Sequence, residues 1–164
     1  MAIEQKIVTN LWFDTEAEEA ADFYTSIFKD SHVERVLHYG ESGPREAGMV
    51  LTVDFTLDGQ RFTAINGGPE FTFTEAISLL VYCETQHEID DLWEKLSADG
   101  GETSVCGWLK DKYGLSWQIT PTVMDEMLGR EDHTSPKFNA VMEAMLKMTK
   151  LDIAELEKAY AEAG

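Results

Sequence analysis

The feature of this chain that most restricts its fold is an internal duplication. Residues 6–13 (Lys-Ile-Val-Thr-Asn-Leu-Trp-Phe) carry strand-like sequence. Asp14-Thr15 then opens an amphipathic helix, with Ala17, Ala20, Ala21, Tyr24, Ile27 and Phe28 recurring on one face. Thr15 and Glu18 have the spacing of a capping box, in which hydroxyl and carboxylate each satisfy a backbone donor at the helix start. Strand-like segments follow at about 32–39, 47–57 and 60–66, the last two joined by the tight-turn pair Asp58-Gly59. The same order then returns. Residues 77–84 (Ile-Ser-Leu-Leu-Val-Tyr-Cys-Glu) predict a strand, Thr85 and Glu88 a second capping box, and Ile89, Leu92, Trp93 and Leu96 a buried helix face that stops at Asp99-Gly100-Gly101.

A shift of 70 positions places Trp12 on Tyr82, Asp14 on Glu84, Thr15 on Thr85, Glu18 on Glu88 and Phe23 on Trp93. A shift of 55 places Gly59–Ala64 on Gly114–Ile119, because the later half is shorter. Each half therefore reads strand, helix, three strands. One such βαβββ unit leaves a sheet face uncovered, so the expected fold is α+β, with two modules closing a half-barrel cup around a cavity. The 164 residues suit one domain, with the paired modules in residues 1–121 (about 6–68 and 77–121) and residues 122–164 as a helical extension of it. That extension reads as a short turn at 122–128, a polar Gly129–Ser135 linker and a helix from Pro136 with Phe138, Val141, Met142, Met145, Leu146 and Met148 on its apolar face. A last helix follows, capped by Asp152, in which Ile153, Leu156 and Tyr160 lie together. The stripe needs a surface to bury it, either the sheet or a subunit neighbour.

Charge narrows the partners. Thirteen Lys and Arg stand against 31 Asp and Glu, a net charge of −18 that repels nucleic-acid backbones and anionic membrane surfaces. No apolar run approaches the roughly 20 residues of a membrane span. The first residues carry no basic segment, apolar stretch or cleavage site. The two cysteines, Cys83 and Cys106, form no disulfide framework or CxxC pair, so a cytoplasmic location is expected.

Three segments carry a resemblance. Glu18-Glu19-Ala20-Ala21-Asp22-Phe23-Tyr24-Thr25-Ser26-Ile27-Phe28, Asp58-Gly59-Gln60-Arg61-Phe62-Thr63-Ala64-Ile65-Asn66-Gly67-Gly68-Pro69 and Trp108-Leu109-Lys110-Asp111-Lys112-Tyr113-Gly114-Leu115-Ser116-Trp117-Gln118-Ile119 resemble the PhnB-like branch of the glyoxalase/bleomycin-resistance/extradiol-dioxygenase superfamily. These are also called vicinal oxygen chelate proteins, and members of the branch often bear the label demethylubiquinone methyltransferase. The similarity continues into the Lys150–Leu156 tail. In metal-dependent members the ligands are His, Glu or Gln on the first and last strand of each module. The matching positions here are Val8, Thr63, Ser78 and Gln118, of which Gln118 alone is even a weak ligand. His32, His38, His87 and His133 make neither HxH nor HExxH spacing. The expectation is a degenerate metal site with no metal and no cofactor, and the resemblance, together with the apolar stripe of the helical extension, implies a homodimer.

The methyltransferase label also meets an obstacle. On a doubly wound fold, S-adenosylmethionine needs a Gly-rich turn between an early strand and a helix, and here those junctions are Asp14-Thr15-Glu16 and Glu84-Thr85-Gln86. If Val8, Thr63, Ser78 and Gln118 face the cup, as the resemblance implies, strand alternation also sends Asn10, Trp12, Ile65, Leu80, Tyr82, Ser116 and Thr120 there, with Thr52, Asp54 and Thr56 from the third strand. Leu11, Phe13, Ile77, Leu79, Val81, Trp117 and Ile119 are left to meet the helices. Candidate substrate-binding residues are Asn10, Trp12, Asp54, Thr63, Ser78, Tyr82, Trp108 and Gln118. Of these, Trp12, Tyr82 and Trp108 offer aromatic walls, and Asp54 is a carboxylate that an apolar cup would turn into a general base. No catalytic set is identified. The first reading is a small-molecule-binding protein with an aromatic or amphipathic organic ligand. The alternative is an enzyme acting on a small aromatic or quinone-like substrate, including the demethylubiquinone methyltransferase activity the family label implies.

Overall fold

The computed structural model describes residues 4–164, and the chain divides into two compact units, one ending at Thr72 and one running from Phe73 to Gly164. The first holds β1 (Thr9–Phe13), α1 (Ala17–Ile27), β2 (His32–His38), β3 (Val50–Leu57) and β4 (Gln60–Asn66). The second holds β5 (Ser78–Cys83), α2 (Gln86–Leu96), β6 (Glu102–Thr103), β7 (Trp108–Lys110) and β8 (Ser116–Pro121), followed by α3 (Thr122–Gly129), α4 (Pro136–Leu146) and α5 (Ile153–Glu162). Each unit contains one open four-stranded sheet, in the orders β1-β4-β3-β2 and β5-β8-β7-β6. The class is α+β, as the duplication predicts.

Register carries the repeat down to single residues. In each sheet the first strand lies parallel to the last, with Asn10 opposite Thr63 in one and Leu80 opposite Gln118 in the other. Those pairs are related by the same shifts of 70 and 55 that align the sequence halves. Side-chain parity follows. Leu11, Phe13, Val53, Phe55, Phe62 and Ala64 are buried in the first unit, and Leu109, Trp117 and Ile119 in the second. They meet the buried faces of α1 (Ala17, Ala20, Ala21, Tyr24) and α2 (Ile89, Leu92, Leu96). Ile77 departs from the expectation. It precedes β5 and is 70% exposed, because alternation does not apply outside the strand.

The two helix starts differ. Thr85 Oγ1 accepts the Glu88 backbone N–H at 3.2 Å, and the Glu88 carboxylate reaches back to the Glu84 N–H at 3.0 Å, close to the expected box. The Thr15–Glu18 box does not form. Helix α1 begins two residues later, at Ala17, and has no cap from its own N-cap side chain, while Thr15 donates its N–H to the Glu16 carboxylate. Its first turn is satisfied from β4, where the buried Asn66 accepts the Ala17 N–H at 2.9 Å and donates to the Val50 carbonyl at 3.0 Å.

Residues 122–129 form a full helix rather than a short turn. Helices α3, α4 and α5 then build a core of their own from Met124, Met127, Val141, Leu151 and Leu156, with Met145, Met148 and Tyr160 against it. Asp152 caps α5 as expected, accepting the Glu155 N–H. Gln86 ties the extension to α2 by donating to the Leu151 carbonyl and accepting from the Ile153 N–H.

Candidate functional site

The sheet face opposite α1 is a ladder of charges. Asn10, Thr63, Asp54 and Arg35 stand in one row across all four strands. Asp54 is 6% exposed. Its Oδ2 accepts from Arg35 Nη2 at 2.6 Å and Nε at 2.9 Å, and its Oδ1 accepts from Thr63 at 2.9 Å. A register shift between Val33 and Arg35 inserts Glu34 beside Arg35 on the same face, since a bulge places two residues opposite one. Glu34 accepts from the Thr56 hydroxyl at 2.6 Å and lies 3.4 Å from Arg61 Nε. The surroundings of Asp54 therefore differ from the apolar cup that parity alone suggests. Sequence reading had no means to find Arg35 or Glu34, because the bulge that turns them inward leaves no mark on the alternation of His32–His38.

Trp12, on the same face, has its polar handle committed. Its Nε1 donates to the Gly68 carbonyl at 2.9 Å, and its ring meets Phe71 edge to face at 4.9 Å. A Cβ at position 67 would stand 2.3 Å from the indole, so only glycine admits this contact.

The corresponding face in the second unit is less charged. Gln118 donates to Ser78 Oγ at 2.8 Å and lies in register with Trp108 on β7. Tyr82 and Leu80 are 50% and 43% exposed there. A cavity of about 390 Å³ opens beside Trp108, walled by residues 102–106 and reaching Lys110, Ser116 and Glu75. The wall is anchored to the extension, since Cys106 and Gly107 donate their N–H groups to the Met148 and Thr149 carbonyls, each at 2.8 Å. Lys110 pairs with Glu75, and that contact holds the Lys110 ammonium above the usual lysine range and the Glu75 carboxyl below the usual carboxylate range. Sequence parity pointed to Ser116, but neither Lys110 nor Glu75 carried a signal of its own.

The candidate residues are thus brought together in pairs within each unit: Asp54 with Thr63, Ser78 with Gln118, Asn10 beside Thr63 and Trp108 beside Gln118. The metal positions do not fit a divalent transition ion. Val8 offers no donor, Thr63 donates to Asp54, and Gln118 and Ser78 are engaged with each other. Among the described residues no three His, Cys, Asp or Glu gather in a metal-binding group. Nor is any helix among them long and apolar enough to cross a membrane. Cys83 is buried, and desolvation together with the nearby Glu88 charge pushes its thiol up to about 12.

The family model described as 3-demethylubiquinone-9 3-methyltransferase matches residues 5–120. A PhnB protein from Bacillus cereus is 44% identical, aligns over 72% of this chain and 100% of its own, and superposes with a TM-score of 0.66. Protein PA1353 from Pseudomonas aeruginosa is 18% identical over 72% of this chain and 98% of its own, with a TM-score of 0.59. The fosfomycin resistance protein FosX from Listeria monocytogenes, in its structure with Mn(II) and sulfate, is 14% identical over 79% and 98%, with a TM-score of 0.53. The last two likenesses show the fold alone. No curated protein matches the chain.

Proposed function

We propose that this chain, which belongs to the PhnB-like 3-demethylubiquinone-9 3-methyltransferase family within the glyoxalase/bleomycin-resistance superfamily, is a small-molecule-binding protein with a degenerate metal site. One observation carries the reading: the Trp108-flanked cavity is open, while the candidate groups with chemical potential are engaged with one another. A ligand pocket needs an apolar wall and a few placed polar groups, and the lining of this cavity supplies both. Trp108 lines that cavity, and the further residues we propose for binding flat organic ligands are Asn10, Trp12, Asp54 and Thr63 on the sheet of the first unit and Ser78, Tyr82 and Gln118 on that of the second, each set taken by itself. We also read the protein as a cytoplasmic homodimer, in which Leu146, 61% exposed on α4, is an apolar group that a second copy would cover.

The test is native mass spectrometry of gently purified protein, followed by release and reincubation of any bound molecule. Recovery of one small organic compound, unchanged after incubation, is the expected result. Stoichiometric conversion of that compound would replace the binding role with an enzymatic one. Light scattering at micromolar concentration checks the dimer, and a monomer there removes that part of the reading.

A further inference from the structure

We infer that the cavity beside Trp108 accepts a ligand carrying a carboxylate, and that Glu75 occupies the carboxylate's place until the ligand arrives. This rests on the binding role proposed above and specifies its chemistry. The first observation is Ser116. Its side chain is fully buried, it lines the cavity, and its Oγ has no hydrogen-bond partner among the described residues. A buried hydroxyl without a partner forfeits a hydrogen bond it would make in water, so a ligand oxygen reaching it recovers that loss.

The second observation is register. Lys110 stands directly opposite Ser116, placing an ammonium and a hydroxyl side by side on one sheet face. Together they offer a carboxylate two donors from one sheet face, with the indole of Trp108 and the side chain of Val105 left for an apolar body. The third observation is what holds Lys110 now. Glu75 comes from the turn preceding β5, its side chain is 59% exposed, and it sets its carboxylate on the Lys110 ammonium at the cavity. An incoming carboxylate exchanges like for like at Lys110. Glu102 stands opposite Lys110 on β6, and the exchange keeps one carboxylate on the ammonium as Glu75 moves into solvent. The hydrogen bond to Ser116 is the net gain, because Glu75 does not reach it.

Titration calorimetry of the full chain with 2-naphthoate and its uncharged analogue 2-naphthamide tests this. The expected result is preference for naphthoate by about tenfold, lost in Lys110→Gln, with naphthamide unaffected by that change. Glu75→Gln, which removes the competitor, tightens naphthoate several-fold and leaves naphthamide alone. Ser116→Ala weakens naphthoate without lowering the melting temperature, since it deletes an unpartnered hydroxyl. Equal binding of the two compounds, naphthoate binding indifferent to Lys110→Gln, or no binding of naphthoate at millimolar concentration each overturns the inference. Naphthamide binding in the last case leaves the broader binding role standing, so the two failures are told apart.

Discussion

The two modules share one topology and one register, yet they solve two local problems by different means. At position 66 the first module has an asparagine that caps α1 from the far strand, while the shift of 55 puts Pro121 at the equivalent place in the second. Proline has no side-chain group to offer, and there the helix is capped locally by Thr85. The hairpins diverge likewise. Between β3 and β4 the chain turns in two residues, Asp58 and Gly59, both at positive φ as a tight hairpin requires. Between β7 and β8 it takes residues 111–115, organised by the buried Asp111. That carboxylate accepts the Tyr113 and Leu115 N–H groups and the Trp117 Nε1–H at 2.9 to 3.1 Å. Duplication thus constrains which elements exist and how they pair, and leaves free the groups that satisfy their ends.

Substitutions at matched positions sharpen this contrast. Leu11→Ala should cost about 2–5 kcal/mol in denaturant unfolding, because the residue is 5% exposed and leaves a cavity, whereas Val81→Ala at the equivalent, half-buried place should cost about 1. Equal losses would mean the two helix-facing surfaces are equivalent after all. Asp111→Ala should cost about 3 kcal/mol through three stranded donors, against about 1 or less for Asp58→Asn, since asparagine tolerates the turn's backbone. Asn66→Ala should cost about 2 kcal/mol and Thr85→Ala about 1, the tertiary cap being buried and making two bonds. A reversed order would show that the local cap dominates. The smallest effect is one of rate. With its thiol pushed up to about 12 and buried, Cys83 holds its proton at pH 8 and stays silent to Ellman's reagent in the folded chain, so one thiol per chain, the half-buried Cys106, reacts until denaturant is added.

Periodicity and the repeat made most of the fold legible, because strand pairing in βαβββ units is fixed by which faces are apolar. Leu11, Phe13, Trp117 and Ile119 announce their side of the sheet by alternation alone. The capping motif was a weaker guide: Thr15 and Thr85 sit at equivalent places, but at the start of α1 the cap comes from Asn66, 49 positions beyond Ala17. The candidate site was legible only as parity. Thr63 with Asp54 and Ser78 with Gln118 were placed on common faces by sequence, but their engagement with each other depends on interstrand register. Arg35 and Glu34 depend on a bulge, and Lys110 on a partner in a turn. Such groups are set by tertiary contacts, which local pattern does not encode.

The cap supplied by Asn66 also sets an order of events in time. Helix α2 finds its first acceptor three residues away and can nucleate before any strand has docked. Helix α1 must wait for a strand far along the chain, after a long loop has closed and its entropy has been lost. In a chevron experiment Thr85→Ala should therefore slow refolding, and Asn66→Ala should act mainly by hastening unfolding. Two copies of one architecture would then fold on different schedules, set by which residue ends the last strand of each.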